Sequence, residues 1–352
     1  MDFIDVIPNI VKGFEIKKGS MVLLNFWGED SELQILNKFA IEVGKAGGVP
    51  IKWQQSREFI KNYFCEVTAE NLEFPDKYYE IFKLADAVVD IFMYSPAPHK
   101  DFSKDKLPLY GAHMRKLFGA LTGGSQLGAS MNKDLFIQVR IPTIENAMEE
   151  GIDFETYEAA LYKALDIDIL QLKENCNELV AKLEGKNKVV VHTSGNRELS
   201  FELKDRNWHK DDGTGDIPCG EVYISPIEES ATGEIQIPLI ILEGARYEEV
   251  VLAFKAGKLM ECSSKEIHEF IKSFPGDSDI FAEFGIGMNE NIKELIGCQV
   301  VDEKCKGTAH IAIGMNNLAG GKNESSFHMD FIFKPVKIEM DREVIWEGGK
   351  ML

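Results

Sequence analysis

Residues 21–53, MVLLNFWGEDSELQILNKFAIEVGKAGGVPIKW, decide the fold of the N-terminal half of the chain. The apolar run at residues 21–26 predicts a buried strand, and residues 31–44 carry apolar side chains at helical spacing. A Gly-Gly pair then ends the helix, and a second strand-like run follows at residues 49–53. A strand, a helix and a strand in this order predict a βαβ unit, whose two strands pair in parallel.

Two further apolar runs, at residues 87–92 and 135–139, extend this pattern. Because strands and helices alternate along this half, we expect a doubly wound α/β domain with a mostly parallel sheet. From Thr156 to about Glu184 the spacing of apolar residues predicts one long helix, which ends at the turn that begins with Gly185. We therefore expect a domain boundary after residue 186.

Beyond this boundary the pattern changes to short strands separated by turns. Strand-like runs lie at residues 188–193, 198–203, 235–241 and 250–254. This pattern is typical of an α+β domain rich in antiparallel strands. The sequence thus predicts an α/β domain over residues 1–186 and an α+β domain over residues 187–352.

The composition limits the classes of partner. The chain has 352 residues, and 44% of them are hydrophobic, which is enough to fill two domain cores. The formal net charge is −19, from 58 acidic and 39 basic residues, which argues against nucleic acid or an anionic membrane surface as a partner. An acidic N-terminus and the lack of an apolar run of about 18 residues predict a cytoplasmic protein. Six scattered cysteines without a Cys-x-x-Cys pair predict free thiols.

The C-terminal stretch Phe327-His328-Met329-Asp330-Phe331 contains a candidate metal site. In a strand, His328 and Asp330 project from the same face, because successive side chains alternate between the two faces. His310 lies at the start of another apolar run, and the Gly- and Asn-rich segment after it could fold this second imidazole back onto the pair. Two imidazole nitrogens and a carboxylate suit zinc, cobalt, manganese or ferrous iron.

Two glutamates upstream could complete the site. Glu221 follows a loop rich in Gly and Pro and begins a strand-like segment, whereas Glu283 lies between apolar residues. A carboxylate in an apolar run is costly unless it is paired or bound to a metal. Because the chain has 58 acidic residues, a salt-bridged or edge-facing glutamate remains an alternative at either position.

These segments resemble the aminopeptidase T and aminopeptidase S family of dinuclear metallopeptidases, colinearly over roughly residues 188–335. The motifs that carry the resemblance are Asp216-Ile217-Pro218-Cys219-Gly220-Glu221-Val222-Tyr223, Ala231-Thr232-Gly233-Glu234-Ile235, Phe254-Lys255-Ala256-Gly257-Lys258, Asp302-Glu303, Thr308-Ala309-His310 and His328-Met329-Asp330-Phe331. The resemblance implies that two divalent ions (Zn, Co or Mn) are held by five ligands, namely Glu221, Glu283, His310, His328 and Asp330. It also implies a short peptide substrate and a homodimer, with the N-terminal domain as a scaffold or dimerisation domain.

The chain departs from the family pattern at one position. The family usually carries a tyrosine shortly after the histidine that corresponds to His310, where it is expected to assist at the reacting carbonyl. Residues 311–327 contain no tyrosine. Either Asn316, Asn317 or Tyr223 replaces this donor, or this branch has lost efficient peptide hydrolysis.

The sequence therefore predicts a metal-dependent aminopeptidase that removes N-terminal residues from short peptides with a metal-activated water, Glu221 and Glu283 serving as catalytic carboxylates as well as ligands. A second hypothesis is a mononuclear non-haem Fe(II) ring-cleaving dioxygenase of the dihydroxypyridine type, which would use His310, His328 and Asp330. The missing tyrosine fits this alternative, whereas the two glutamates favour two metals. A third is a divergent metal-binding homologue with weak peptidase activity.

Overall fold

The computed structural model describes residues 2–123 and 135–352. The helices of this part are α1 (Phe3–Gly13), α2 (Leu33–Lys45), α3 (Arg57–Glu66), α4 (Asp76–Lys83), α5 (Leu107–Leu121), α6 (Ile144–Glu149), α7 (Phe154–Leu165), α8 (Ile169–Leu183), α9 (Lys265–Lys272) and α10 (Gln299–Asp302). The strands are β1 (Met21–Trp27), β2 (Val49–Gln54), β3 (Ala87–Phe92), β4 (Leu135–Arg140), β5 (Lys188–Thr193), β6 (Arg197–Glu202), β7 (His209–Asp211), β8 (Asp216–Ile217), β9 (Glu221–Ile224), β10 (Thr232–Leu242), β11 (Ala245–Lys255), β12 (Lys258–Cys262), β13 (Phe281–Gly287), β14 (Ala309–Gly314), β15 (His328–Phe333), β16 (Lys337–Met340), β17 (Glu343–Glu347) and β18 (Lys350–Met351).

The chain divides into two compact units. The first comprises the residues up to Glu149 together with Gly213–Ile217, and the second comprises Glu150–Asp212 and Pro218–Leu352. Within the described residues, no helix is both long and apolar enough to cross a membrane.

The first unit is built on one parallel sheet with the strand order β2-β1-β3-β4-β8. Strand β1 pairs in parallel with β2 and β3, and β4 pairs in parallel with β3 and β8. Strand β3 is buried along its whole length, as expected for a central strand that is covered on both faces. The α/β fold predicted for the N-terminal half is confirmed.

The second unit contains two antiparallel sheets. The larger, called the backing sheet here, has the order β12-β11-β10-β6-β5-β16-β17-β18, and the smaller, called the site sheet, has the order β15-β14-β13-β9-β7. Phe201 of β6 contacts Phe281 and Phe284 of β13, with ring centroids 5.1 and 5.2 Å apart. The two sheets therefore pack through apolar side chains, and the predicted antiparallel character of the C-terminal part is confirmed.

The stretch predicted as one long helix is two helices, α7 and α8. Asp168 begins the second one, because its carboxylate accepts hydrogen bonds from the N–H groups of Leu170 and Gln171. Both helices belong to the second unit, so its first residue is Glu150, well before the boundary expected after residue 186. The side-chain amide of Asn289 contributes to this attachment by donating to the carbonyl oxygen of Ala164, in α7, at 2.9 Å.

Candidate metal centre

One face of the site sheet carries all five predicted ligands. In antiparallel strands, residues directly opposite each other place their side chains on the same face. The opposite pairs are Glu283 with Ala312, Ala312 with Asp330, Gly314 with His328, Gly285 with His310, and Gly287 with Glu221. Strand register thus gathers groups that are far apart in the sequence.

The other face of the site sheet is apolar. Phe284, Ile311 and Phe331 are fully buried and lie opposite one another across three strands. Phe284 is one of the residues that contact Phe201 in the backing sheet. A shift of one residue in register would exchange the two faces, so the burial of the apolar face fixes the direction in which the ligands project.

Gly285 provides the space that the ring of His310 occupies. A Cβ at position 285 would lie 2.1 Å from Cε1 and 2.2 Å from Nε2 of His310, which is far inside van der Waals contact. The imidazole is fully buried and lies against the glycine on the neighbouring strand. A side chain at position 285 would therefore displace the ring.

The five side chains form two groups, within each of which the ligand atoms lie within 4.8 Å of one another. One group is Glu221, Glu283 and His310, and the other is Glu283, His328 and Asp330. In the first, Nε2 of His310 is 3.2 Å from Oε1 of Glu283 and 3.4 Å from Oε2 of Glu221. In the second, Nε2 of His328 is 3.4 Å from Oδ1 of Asp330. Glu283 is common to both groups.

The orientation of His328 is set by the loop after β14. Its Nδ1 donates a hydrogen bond to the carbonyl oxygen of Met315 at 2.7 Å. This bond fixes the tautomer and leaves Nε2 as the nitrogen directed at Asp330. The side chain of His328 is 29% exposed, more than any of the other four, so His328 is the candidate ligand nearest to solvent.

A buried lysine binds one of the candidate ligands. Nζ of Lys304 lies 2.6 Å from Oε1 of Glu221, 2.8 Å from Oδ2 of Asp211 and 2.9 Å from Oε1 of Glu303. The lysine side chain has no exposed surface, and the N–H of Asn289 donates to its carbonyl oxygen at 2.8 Å. The ammonium group thus engages Oε1 of Glu221, while Oε2 faces His310.

Burial and neighbouring charges shift the pKa values of two carboxylates of this cluster. Burial raises the pKa of Glu221, although the charges of Lys304 and His310 oppose the shift. Burial also raises the pKa of Glu303 well above its ordinary value, against the charge of Lys304. The protein therefore holds these negative charges at a cost that further cations would relieve.

The pKa values of both histidines are raised, which favours their protonated forms. For His310, burial disfavours the charged ring, but the hydrogen bond to Glu283 and the charge of Glu221 outweigh it and raise the pKa to about 9. For His328, burial also disfavours the charged ring, but the charge of Asp330 outweighs this effect and raises the pKa to about 10. Because metals bind the neutral imidazole, an incoming ion has to displace these protons.

The donor set fits divalent metal ions. Among the described residues, Oε2 of Glu221, Oδ1 of Asp330 and Nδ1 of His310 are buried without a hydrogen-bond partner, and such atoms are rare in folded proteins. The two groups offer only carboxylate oxygens and imidazole nitrogens. Zinc, cobalt and manganese accept this combination.

The loop after β14 gives Asn316 no free group with which to replace the missing tyrosine. Its side chain is buried, and its Nδ2 donates to Oγ of Ser225 at 2.9 Å. Its Oδ1 accepts from the N–H of Asn323 at 2.9 Å. Asn316 therefore supports the loop, and of the three candidate donors Asn317 and Tyr223 remain.

Sequence reasoning missed Lys304, Asp211 and Glu303 as members of the cluster. Lys304 is one of 39 basic residues, and no local pattern marks it as buried. Asp211 lies directly opposite Glu221 in the β7–β9 pair. The register of the site sheet finds Asp211, whereas Glu303 and Lys304 follow α10 and are placed by long-range contacts such as the hydrogen bond from Asn289 to Lys304.

Three comparisons relate this architecture to known proteins. A family model described as thermophilic metalloprotease (M29) matches residues 6–344, and no curated protein matches the chain. Wild-type AmpT from Thermus thermophilus has a similar structure, with a TM-score of 0.72 and 16% identity over 100% of both chains. The 2,5-dihydroxypyridine dioxygenase from Pseudomonas putida KT2440 has a TM-score of 0.62 and 14% identity, over 99% of this chain and 96% of that chain. At these identities the structural likenesses establish the fold alone.

The family match spans nearly the whole chain, whereas the motifs quoted above cover only its C-terminal part. It confirms the resemblance that these motifs indicated, and with it the predicted class of metal-dependent hydrolase. A divalent metal and a peptide substrate follow from the family. The chain belongs to the thermophilic metalloprotease (M29) family and is a metal-dependent peptidase.

Proposed function

We propose that this peptidase is an aminopeptidase that removes N-terminal residues from short peptides at a two-metal centre. The observation that carries the proposal is the position of Glu283, which belongs to both groups of ligand atoms on the site sheet. In this assignment, Glu221, Glu283 and His310 would hold one ion, and Glu283, His328 and Asp330 would hold the other. Glu283 would be a ligand of both ions.

The balance of charge supports two ions rather than one. Five carboxylates line the cluster, and they are Asp211, Glu221, Glu283, Glu303 and Asp330. The ammonium group of Lys304 is the cation that binds three of them. With all five carboxylates ionised and both imidazoles neutral, as metal binding requires, five negative charges against the one positive charge of Lys304 leave four, which two divalent ions neutralise and one ferrous ion does not. Uncompensated buried charge is strongly unfavourable.

The chain's own residues prepare the site for the reaction. Lys304 engages one oxygen of Glu221, so that this carboxylate offers the other oxygen to a metal. The hydrogen bond from His328 to Met315 presents Nε2 as a ligand. When bound, two divalent ions would supply a water with a pKa near 7 and polarise the scissile carbonyl group.

The free α-amino group of a peptide would bind one of the two ions through its neutral nitrogen, which the nitrogen of an internal peptide bond cannot do. This preference accounts for hydrolysis at the first peptide bond rather than at internal ones. An N-acetylated peptide lacks this free amine and is expected to be a poor substrate.

The competing function is the mononuclear Fe(II) dioxygenase, which the missing tyrosine favours. Its three ligands would be His310, His328 and Asp330. In the described residues these three do not form one group of ligand atoms, since His310 is grouped with Glu221 and Glu283 instead. An iron at that triad would also leave both glutamates without a divalent partner.

Peptide hydrolysis and oxygen uptake separate the two functions. With zinc, cobalt or manganese, the purified protein should release the first residue of a tripeptide without oxygen, and far more slowly from the N-acetylated tripeptide. The variant Glu283→Gln should lose this activity, whereas Glu290→Gln, at an exposed glutamate paired with Lys306, should keep it. Oxygen consumption with a dihydroxypyridine and ferrous iron, combined with no peptide hydrolysis under any metal, would overturn the proposal.

We also propose that the enzyme is a homodimer, as the resembled family is, with the first unit as a scaffold or dimerisation element. Light scattering of the purified protein should give twice the mass of the 39.6 kDa chain. A monomer at micromolar concentration would contradict this part of the proposal without affecting the assignment of the metal centre.

A further inference from the structure

Residues 311–327 contain no tyrosine, whereas the resemblance of the C-terminal motifs implies one shortly after His310. Peptide hydrolysis generates an oxyanion at the scissile carbonyl carbon, and a hydrogen-bond donor aimed at it contributes substantially to the rate. The inference below rests on the proposed function and concerns the residue that supplies this donor.

Tyr223 lies on the ligand-bearing face of the site sheet. It lies two residues after Glu221 in β9. Because successive side chains of a strand point to opposite faces, Tyr223 and Glu221 project to the same side. Its Cα lies opposite Gly285 of β13, and Gly285 in turn lies opposite His310 of β14. The phenol and the imidazole thus flank a position that has no side chain, and neighbouring strands are only about 4.8 Å apart.

The ring of Tyr223 is held in place by a neighbour on its other side. His209 of β7 lies directly opposite Tyr223, and the two rings stack with centroids 5.3 Å apart and an interplanar angle of 25°. A stacked ring is pre-oriented, so its hydroxyl needs little reorganisation to meet a substrate.

The hydroxyl of Tyr223 is available as a donor. Across residues 2–123 and 135–352, no side chain or backbone group makes a hydrogen bond with it, whereas Asn316 is engaged by Ser225 and Asn323. A phenol has an ordinary pKa of about 10 and carries its proton at neutral pH. Asn317, the other candidate, lies in the short turn of residues 317–319 after β14 rather than on a strand of the site sheet.

We propose that Tyr223 is a catalytic residue whose hydroxyl donates a hydrogen bond to the carbonyl oxygen of the scissile peptide bond and strengthens that bond as the oxygen becomes negative. No proton is transferred from the phenol. The stacking with His209 makes that histidine a positioning residue. The donor that the family carries on the loop after β14 is thereby moved to strand β9.

The test is Tyr223→Phe, which removes the hydroxyl and keeps the ring and its packing. On a tripeptide with cobalt or zinc, we expect kcat to fall by about 10² to 10³-fold, the size of effect seen when one oxyanion donor is removed, with little change in KM. Metal content and melting temperature should stay as in the wild type. Tyr247→Phe, on the backing sheet, is the matched control and should leave kcat unchanged.

A binding measurement separates catalysis from structure. Calorimetry should show that Tyr223→Phe weakens a phosphinic dipeptide analogue, which mimics the tetrahedral oxyanion, by a factor similar to the loss in kcat/KM. Binding of the free product amino acid should not change. Wild-type kcat in Tyr223→Phe would overturn the inference, as would loss of bound metal in that variant. A large loss of kcat in Asn317→Ala with Tyr223→Phe unaffected would assign the donor to Asn317.

The outcome for the wild type distinguishes the two proposals. If the wild-type protein does not hydrolyse peptides with any of the three metals, the proposed function fails. If it does and Tyr223→Phe is equally active, only the role of Tyr223 fails.

Discussion

Two histidines, one in each unit, both follow an alanine and have opposite surroundings. His113 of the first unit follows Gly-Ala, and His310 of the second follows Thr-Ala. His113 stacks on Phe74 with ring centroids 4.2 Å apart, and its Nδ1 is 2.9 Å from the hydroxyl of Tyr79. His310 faces two carboxylates instead.

The surroundings decide what each histidine can do. Burial among aromatic rings lowers the pKa of His113 to about 4, so it is a neutral packing group. The carboxylates near His310 raise its pKa to about 9 despite burial, so it carries a proton at neutral pH in the metal-free protein and is a candidate ligand. The comparison teaches that a histidine becomes a candidate ligand through the strands opposite it rather than through its sequence neighbours.

The largest expected difference between the two histidines is in metal binding. His310→Gln should lower peptidase activity on the order of 10³-fold, the scale of a lost charge-stabilising group in an active site, and should reduce the bound metal measured by elemental analysis. His113→Gln should keep both the metal content and the specific activity of the folded fraction. Equal metal content in the two variants would contradict the claim that His310 binds metal and His113 does not.

The buried cation of the second unit should matter more for stability than an exposed one. Lys304→Met leaves three carboxylates without their ammonium partner, and breaking a buried ion pair in this way costs about 3–5 kcal/mol. Lys306→Met, two residues further on, removes an exposed pair with Glu290 and should have no measurable effect. Chemical denaturation of the chelated proteins compares them, and equal unfolding free energies would show that Lys304 is dispensable.

Gly285 should be required for the geometry of His310 and not for folding in general. Gly285→Ala forces the imidazole to move, because the new Cβ would overlap it, and we expect a loss of about 10–100-fold in metal affinity, as for other changes that misorient ligands. Gly44→Ala, in α2, has open space around the new Cβ and serves as the control. Competition with a chromogenic chelator measures both affinities, and unchanged affinity in Gly285→Ala would mean that the ring tolerates the methyl group.

The smallest expected effect is on the pH dependence of stability, and it has opposite signs in the two units. The folded pKa of His113 is below the ordinary value of about 6.5, so its contribution is present above pH 6.5 and is lost as the pH falls toward 4. In the metal-free protein, the folded pKa of His310 is raised, so its contribution is complete below about pH 6.5 and is lost as the pH rises through 9.

Melting curves of the chelated protein and of His113→Phe test these signs. The wild type should lose melting temperature relative to His113→Phe when the pH is lowered from 7 to 4.5. Relative to His310→Gln, it should lose melting temperature when the pH is raised from 7 to 9.5. A constant difference across either range would show that the histidine concerned does not titrate as its surroundings imply.

Periodicity predicted the elements of the first unit well, because each is defined locally. The βαβ pattern of residues 21–53 corresponds to β1, α2 and β2. The prediction of one long helix over residues 156–184 was wrong, because Asp168, the N-cap of α8, lies inside an apolar pattern that continues on both sides. The early start of the second unit depends on contacts such as the one from Asn289 to α7, which no local pattern shows.

The candidate site was only partly accessible from the sequence. The alternation of His328 and Asp330 predicted their shared face, and the motifs added Glu221, Glu283 and His310. The sharing of Glu283 between two groups of ligand atoms follows from strand register. The burial of Lys304, which follows α10, depends on contacts with distant residues such as Asp211 and Glu221. Register depends on which apolar face is buried against the backing sheet, and spacing along the chain does not specify it.

The measurement that tests the account most directly is anomalous diffraction from crystals of the protein loaded with cobalt or zinc. The account predicts two metal peaks per chain on the site sheet, about 3.5–4 Å apart as in other two-metal hydrolases. Glu283 should contact both ions, with Glu221 and His310 on one and His328 and Asp330 on the other. A single peak held by His310, His328 and Asp330, with both glutamates away from it, would contradict the two-metal assignment.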